Sequence, residues 1–341
     1  MGLLDKQIAK NKILEKEHPK EAKKRKEEYE KQRQLEAQQR EEAKRQEEIK
    51  KQQELETIKK EKKAVSKTTK TKEKVVEKPI IKEVEPLIDE NKGIYKYIGA
   101  LLIDHTTNQN IIFAEDEYEG HDPQEHYTEE VMKELIASKK LNYRVRKSLE
   151  QQKERTKKKA EVFTPSWICK DMIDMCQLPK NWEDLVSSLT LEITCGEAPF
   201  ITSRYDPTTG EPIPIKERIG ILDRKLMAVN KHTINKEDWL KYAIRSLKTT
   251  YGYEWQGDNL FIARVNVLRC FVENYFYKFN EQPDPKIIKT VIYIITWNFW
   301  QMDGLKDTVP MTNIPAKIID WTKTNKNHEE IIEFRSCKEG E

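Results

Sequence analysis

Two hydrophobic patterns alternate along the C-terminal half of the chain. Short apolar runs in LTLEITCG, YGYEW and WNFWQMDGL end in polar residues, which predicts short buried strands. Longer segments between and around these runs have helical spacing: KEDWLKYAIRSLKTTY, DNLFIARVNVLRCFVENYFYKF and PKIIKTVIYIITWNF. In the first helix, one face carries Trp239, Leu240, Ala243, Ile244 and Leu247. Strands that alternate with helices are typical of an α/β domain with a mainly parallel sheet.

Further elements precede this pattern. In FTPSWICKDMIDMC, Thr164 is a candidate helix N-cap and Pro165 a candidate first helical residue. Between residues 93 and 149, the β-rich runs GIYKYIGALLID and NIIFAEDEYE are separated by HTTNQN, which predicts a hairpin, and a helical pattern follows. We therefore assign residues 93–149 to a small hairpin-plus-helix unit, 150–322 to the α/β domain, and 323–341 to a polar C-terminal tail.

The first 92 residues differ in composition from the rest. Residues 1–63 are rich in Lys, Glu, Gln and Arg, which favours a long charged helix or a partly disordered arm. Its apolar residues keep no heptad, so a coiled coil is the weaker alternative. Residues 64–92 have the composition of a linker. Residues 1–80 contain 25 Lys and Arg against 17 Asp and Glu, a local charge of +8.

Composition excludes some classes of protein. The chain is 37% hydrophobic and 35% charged, and all seven Trp lie after residue 160, so the core is expected in that half. The net charge of +3 is a weak argument for nucleic-acid binding. Five cysteines without a CxxC pair indicate neither a disulfide framework nor a metal site. With no apolar run of membrane-spanning length, we expect a soluble, cytoplasmic protein without a membrane partner.

Each predicted strand ends beside a carboxylate: Glu192, Glu254 and Asp303. Because ligands of open α/β sheets bind beyond the carboxyl ends of the strands, the three acids are expected on one rim. Such a rim suits a ligand with hydroxyl and amine groups, and Gly196 would let it approach the backbone. Singly, each residue also has an ordinary explanation as a surface acid or a turn glycine, and Cys195 as a small buried side chain. Their common placement favours a binding site.

The segments VFTPSWI, LEITCGEAPF, YGYEWQGDNLFIARVNVL and WNFWQMDGLK resemble the adenine-N6 DNA methyltransferases of restriction–modification systems. The resemblance is to the short methylase (M) subunits in particular and covers residues 150–322, about half the chain. It implies an incomplete Rossmann-like fold that binds S-adenosylmethionine. It also implies DNA as substrate and methyl transfer to the adenine amino group.

The resemblance also implies a role for each matched residue. The Phe-Thr-Pro segment lies against the methionine part of the cofactor, and Glu192 matches the acid at its amino-acid end. Glu254 matches the ribose-binding acid, and Asp303 the acid beside the adenine ring. The implied cofactor-binding residues are Phe163, Thr164, Pro165, Glu192, Cys195, Gly196, Glu254 and Asp303.

The chain departs from the family pattern in three places. Glu197 and Ala198 replace the usual Ser-Gly of the cofactor loop, and Ala198 is tolerated there if its φ stays negative. A long insert before the second strand carries several basic residues, which either touch DNA phosphates or, as we favour, pack over the site. The Asn/Asp/Ser-Pro-Pro-aromatic segment that holds the target base is missing, and Asn313 in TNIPA is a weak substitute.

Two functions remain open from the sequence. In the first, the chain is the cofactor-binding part of a DNA adenine-N6 methyltransferase, and a second chain supplies the Pro-Pro-aromatic segment. In the second, it is a catalytically inactive, methyltransferase-like binding or scaffold protein. The missing catalytic segment and the long charged arm favour the second function, although we favour the methyltransferase class for the identity of the chain. A purely structural role for the whole chain is a third, weaker alternative, because it leaves the three rim acids unexplained. Cysteine-based cytosine methylation fits poorly, because Cys195 lies in the cofactor loop.

Overall fold

The computed structural model describes residues 93–116, 118–141, 143, 153, 155–157, 164–324 and 328–337. These all belong to one compact unit, Lys82–Glu341. The predicted arm at 1–63, the linker at 64–92 and Phe163 lie outside the described residues. Within the described part, no helix is both long and apolar enough to span a membrane.

Helices and short strands alternate through the described part of the chain. In order they are a 3-10 helix at Gly93–Tyr97, α1 (Ile98–Leu102), β1 (Ile103–Asp104), β2 (Gln109–Asn110), α2 (Glu129–Ala137), α3 (Ser166–Met175), α4 (Trp182–Ser187), β3 (Thr190–Glu192), α5 (Ile221–His232), α6 (Lys236–Lys248), β4 (Thr250–Glu254), α7 (Gly257–Phe279), α8 (Pro285–Asn298), β5 (Phe299–Gln301), β6 (Lys317–Ile319), β7 (Ile331–Glu333) and a 3-10 helix at Phe334–Cys337.

The three predicted strands form one parallel sheet in the order β3-β4-β5. The prediction of buried strands is wrong for β3, where Leu191 is exposed, because β3 lies at the edge of the sheet. Helices α5 and α6 connect β3 to β4, and α7 and α8 connect β4 to β5. The α/β class and the parallel sheet predicted from the alternating pattern are therefore confirmed. The helical face predicted for α6 is confirmed as well: Trp239, Ala243 and Leu247 are buried.

The register gives the sheet two distinct faces. Glu192 lies opposite Gly252, which lies opposite Phe299, and Phe299 belongs to the large core shared with the helices. Side chains alternate along a strand, so the neighbouring residues in the sequence, Leu191, Tyr251, Tyr253 and Trp300, point to the second face. There a smaller apolar cluster contains Tyr253 and Trp300. It is completed by residues from the C-terminal segment: Met302, Ala316, Ile318 and Phe334.

The long helix α7 runs through the centre of the fold. Its residues from Gly257 to Tyr275 are buried, including several polar ones. Arg264 is fully buried and donates to the carbonyl oxygens of Leu101 (2.6 Å), Ile103 (3.0 Å) and Phe299 (2.8 Å). Its guanidinium group therefore joins α1 and the β1 strand to the parallel sheet, because its donors point in several directions at once.

The N-terminal unit differs from its prediction. Residues 93–102 are helical and not a strand, and the hairpin shrinks to two residues on each side, β1 and β2. Burial on one side explains this: Tyr97, Ile98 and Leu101 pack in the same core as the α/β elements, at helical spacing.

The C-terminal segment also differs. Residues 328–337 were assigned to a polar tail, yet β7 pairs antiparallel with β6 and Phe334 packs on the second face of the sheet. The strand β7 has three residues and is followed by the buried Phe334, and this segment is too short to give a hydrophobic pattern in the sequence.

Candidate ligand site at the carboxyl ends of the strands

The three acids occupy corresponding places in the sheet. Glu192 and Glu254 are the last residues of β3 and β4, and Asp303 lies two residues beyond β5. The carboxyl ends of parallel strands lie at the same edge of a sheet, so the predicted common rim is confirmed. The N–H of Met302 donates to the Glu254 carbonyl at 3.0 Å, which joins the chain after β5 to the end of β4.

The loop after β3 is fastened to the end of β4. The N–H of Cys195 donates to the Tyr253 carbonyl at 2.8 Å, and the N–H of Gly196 donates to Oε2 of Glu254 at 2.8 Å. Gly196 has φ +53°, a conformation that glycine adopts without a steric cost. The loop that follows Glu192 is therefore in direct contact with Glu254.

The sequence predicts that Ala198 is tolerated in the loop if its φ is negative, but its φ is positive. Its φ is +64°, in the left-handed region, where an alanine costs roughly 1–2 kcal/mol. Its N–H donates to the Cys195 carbonyl (2.7 Å), and its carbonyl accepts from the N–H of Thr202 (2.9 Å). These hydrogen bonds hold a strained residue in the loop that lies on the candidate site.

Glu192 is the least satisfied of the three acids. Its carboxylate makes no hydrogen bond or ion pair to any residue that the structure describes, and burial raises its pKa to about 7. Burial, with the nearby Glu192 charge, also raises the pKa of the Cys169 thiol to about 12. Cys169 Sγ in turn donates to the Thr164 carbonyl at 3.4 Å. The hydrogen bond joins α3 to the Thr164-Pro165 segment, and the charge of Glu192 acts on the same thiol.

The cap of α3 differs from the prediction. Thr164 does not cap the helix, and Pro165 occupies the N-cap position itself. The N–H of Ser166 instead donates to Oδ2 of Asp206, at 3.0 Å. Burial opposes ionisation of Asp206, but hydrogen bonds from Thr208 and Ser166 hold its pKa well below the usual range. Asp206 was missed from the sequence, where the only signal is the turn composition of DPTTG.

Asp303 is engaged by its own turn. Its Oδ1 accepts from the N–H groups of Leu305 (2.9 Å) and Lys306 (3.3 Å), and its backbone N–H donates to Thr308. The side chain is largely buried. A ligand would meet a carboxylate whose position the turn already fixes.

The remaining candidates have limited chemistry. Burial, reinforced by the charges of Glu254 and Glu192, raises the pKa of Cys195 well above its ordinary value, so this thiol is a poor nucleophile. Asn313 is exposed in the loop between the parallel strand β5 and the antiparallel strand β6, and it does not directly follow a parallel strand. No group of three or more potential metal ligands occurs among the residues that the structure describes.

Four basic residues of the insert, Arg204, Arg218, Arg224 and Lys225, make contacts within the fold. Arg204 and Arg218 both pair with Glu273 on α7 at 2.6 Å, and Arg224 pairs with Asp174 at 2.6 Å. Lys225 is fully buried. Arg204, Arg218 and Lys225 therefore pack inside the fold, and packing over the cofactor site itself stays a prediction. Their partners come from distant segments, so the sequence alone could not decide between packing and contact with DNA.

Comparison with known proteins adds no identification. No protein-family model matches the sequence, and no curated protein or solved structure shows significant similarity to it.

Proposed function

We propose that this chain is the cofactor-binding part of an S-adenosylmethionine-dependent DNA adenine-N6 methyltransferase of the restriction–modification type, with a Rossmann-like fold that a second polypeptide completes. One observation carries the proposal. Adjacent parallel strands end in two carboxylates: Glu192, which has no partner among the described residues, and Glu254, which binds the glycine turn that follows the first strand.

The charges and hydrogen-bonding groups fit this cofactor. Its amino-acid end carries an ammonium group, and a carboxylate whose pKa is raised by burial gains most from such a cation. Glu254 accepts from the N–H groups of Gly196 and Gln256. A carboxylate oxygen is also a suitable hydrogen-bond acceptor for a ribose hydroxyl. Asp303, two residues beyond the end of β5, would contact the adenine end.

The chemistry asked of these residues is positioning. Bound S-adenosylmethionine supplies an electrophilic methyl group, and the rim acids orient it toward the target amine. Holding the two reactants in line is worth several kcal/mol of barrier without any covalent intermediate. The second polypeptide would hold the flipped adenine through an Asn/Asp/Ser-Pro-Pro-aromatic segment, because this sequence contains no two consecutive prolines.

A non-catalytic role is the second candidate. The missing segment and the exposed Asn313 favour a binding or scaffold protein that keeps the cofactor rim without turnover. The two candidates differ in a single respect: whether methyl transfer to DNA appears when a chain containing the segment is added.

The first experiment is calorimetric titration of the full chain with S-adenosylmethionine. We expect saturable binding, weakened at least about tenfold by Glu192→Gln and by Glu254→Gln, each the loss of a charge-assisted contact. The exposed Glu237→Gln is the matched control and should bind like the wild type. Absence of binding by a wild-type protein shown to be folded would overturn the proposal.

A further inference from the structure

The two outer strands of the parallel sheet differ in how they are covered. All three residues of β5 are buried. On β3 and its flanks, by contrast, Leu189 is 63%, Leu191 45% and Ile193 61% exposed. Within the described residues β3 ends the sheet. Parallel sheets are normally covered on both faces, so a row of large apolar side chains on an outer strand is unusual.

The backbone of β3 is open on the same side. The N–H of Thr190 donates to the Thr249 carbonyl, and Glu192 stands in register with Gly252. In a parallel pair, alternate residues bond to a given neighbour, so the N–H and C=O of Leu191 point away from β4. Exposed edges are ordinarily protected by charged residues, Pro or bulges. The run Leu189–Ile193 has no Lys, Arg or Pro, and its one charged residue, Glu192, lies in register with Gly252 on the face opposite to that of Leu191.

The second face of the sheet stops short of β3. Leu191 lies opposite Tyr251, and therefore on the face that carries Tyr253 and Trp300. The C-terminal segment covers that face at β4 and β5 through Ile318 and Phe334. It leaves the side chains of β3 exposed, so an apolar surface continues directly from a covered one.

We propose that the β3 edge (Leu189, Leu191 and Ile193) is the docking site for a β-strand of the second polypeptide, the one that carries the Pro-Pro-aromatic segment. An open row of backbone donors and acceptors selects an extended segment, and the three side chains select an apolar one. A strand added parallel to β3 ends at the same rim as Glu192. The segment that follows it then lies beside the proposed cofactor. The inference rests on the proposed function.

The test uses defined partners. The full chain is co-expressed with each polypeptide from the same genome that contains an Asn/Asp/Ser-Pro-Pro-aromatic tetrad. Co-purification and transfer of labelled methyl groups to DNA are then measured. We expect one such polypeptide to bind and to give activity. Leu191→Lys, which places a charge on the edge, should reduce both at least about tenfold. Ile234→Lys, at another exposed apolar position (92%), should have no effect.

Binding of S-adenosylmethionine by the Leu191→Lys chain alone is the folding check, and it should equal that of the wild type. Leu189→Lys provides a second edge variant. The docking proposal is overturned if both edge variants bind the partner as tightly as the wild type does, or if no tetrad-containing polypeptide binds. Neither result contradicts the proposed cofactor site. A homodimer that Leu191→Lys dissociates overturns it too, since a second copy would then occupy the edge. Failure of the wild type to bind the cofactor refutes the proposed function instead.

Discussion

The backbone N–H of Gly196 donates a 2.8 Å hydrogen bond to Oε2 of Glu254, across the gap between the ends of β3 and β4. The second predicted acid is therefore also a structural tie for the loop that follows the first. The structural role of Glu254 can be separated from the role of its charge, because the side-chain amide oxygen of a glutamine at this position can accept the same hydrogen bond without a charge.

We accordingly expect Glu254→Ala to lower the free energy of unfolding by about 1–3 kcal/mol, the cost of leaving a buried donor unpaired. Glu254→Gln should lose less than half as much. Urea denaturation of both variants measures the difference. If the two variants were equally destabilised, the contact with Gly196 would not be what Glu254 contributes to the fold.

Relief of strain at Ala198 should stabilise the protein. At φ +64°, Ala198→Gly removes a left-handed alanine and is expected to raise the free energy of unfolding by about 1 kcal/mol. The control Ala243→Gly, inside helix α6, should lower it by about 1 kcal/mol or more. Thermal unfolding of the two variants would show opposite shifts. A destabilised Ala198→Gly protein would contradict the conformation of this loop.

Glu192 should make stability depend on pH. Its pKa in the fold is about 7, above the value of 4.5 for an unburied carboxyl, so the folded state holds a proton that the unfolded state has lost. Stability therefore falls as pH rises from about 4.5 to 7 and is level above. Glu192→Gln should be more stable than the wild type by about 1–3 kcal/mol at pH 8 and equal to it near pH 4.

The same substitution should have the opposite effect on the cofactor. A more stable Glu192→Gln protein that binds S-adenosylmethionine less tightly would identify a site whose stability is sacrificed for binding. Denaturation at pH 4, 6 and 8 beside calorimetry gives both numbers. A variant that gained stability and kept full affinity would remove Glu192 from the proposed site.

Lys225 gives a second pH dependence, of opposite sign. Its ammonium group donates to the carbonyl oxygens of Ser188 (2.7 Å) and Thr249 (3.2 Å), no carboxylate of a described residue pairs with it, and burial lowers its pKa to about 7. Between pH 7 and 10 the unfolded chain binds the proton that the folded chain has lost, so stability rises with pH.

The comparison variant is Lys225→Met, which cannot titrate. Relative to it, the wild type should gain up to about 1.4 kcal/mol per pH unit between pH 7 and 10. Urea denaturation at pH 7, 8 and 9 provides the slope. A constant difference between the two proteins would mean that Lys225 stays charged in the fold throughout this range.

The sequence by itself determined the order of the α/β elements and the acids at their ends. Strands β3, β4 and β5 were found because alternation and helical spacing are local properties, and each acid follows its strand by at most two residues. The buried face of α6 was likewise predictable, since Trp239, Ala243 and Leu247 recur every four residues.

Only the tertiary structure decided the rest. Asp206 caps α3 from forty residues away, and Glu273 gathers Arg204 and Arg218 from a different segment. The exposure of Leu191 follows from contacts that distant parts of the chain do not make, and the left-handed Ala198 is held by backbone hydrogen bonds of its loop that have no signature in the sequence. A local pattern fixes which face of an element is apolar. Which residues come to lie against that face depends on packing over long sequence separations, and that packing sets both the charge of the rim and the open edge beside it.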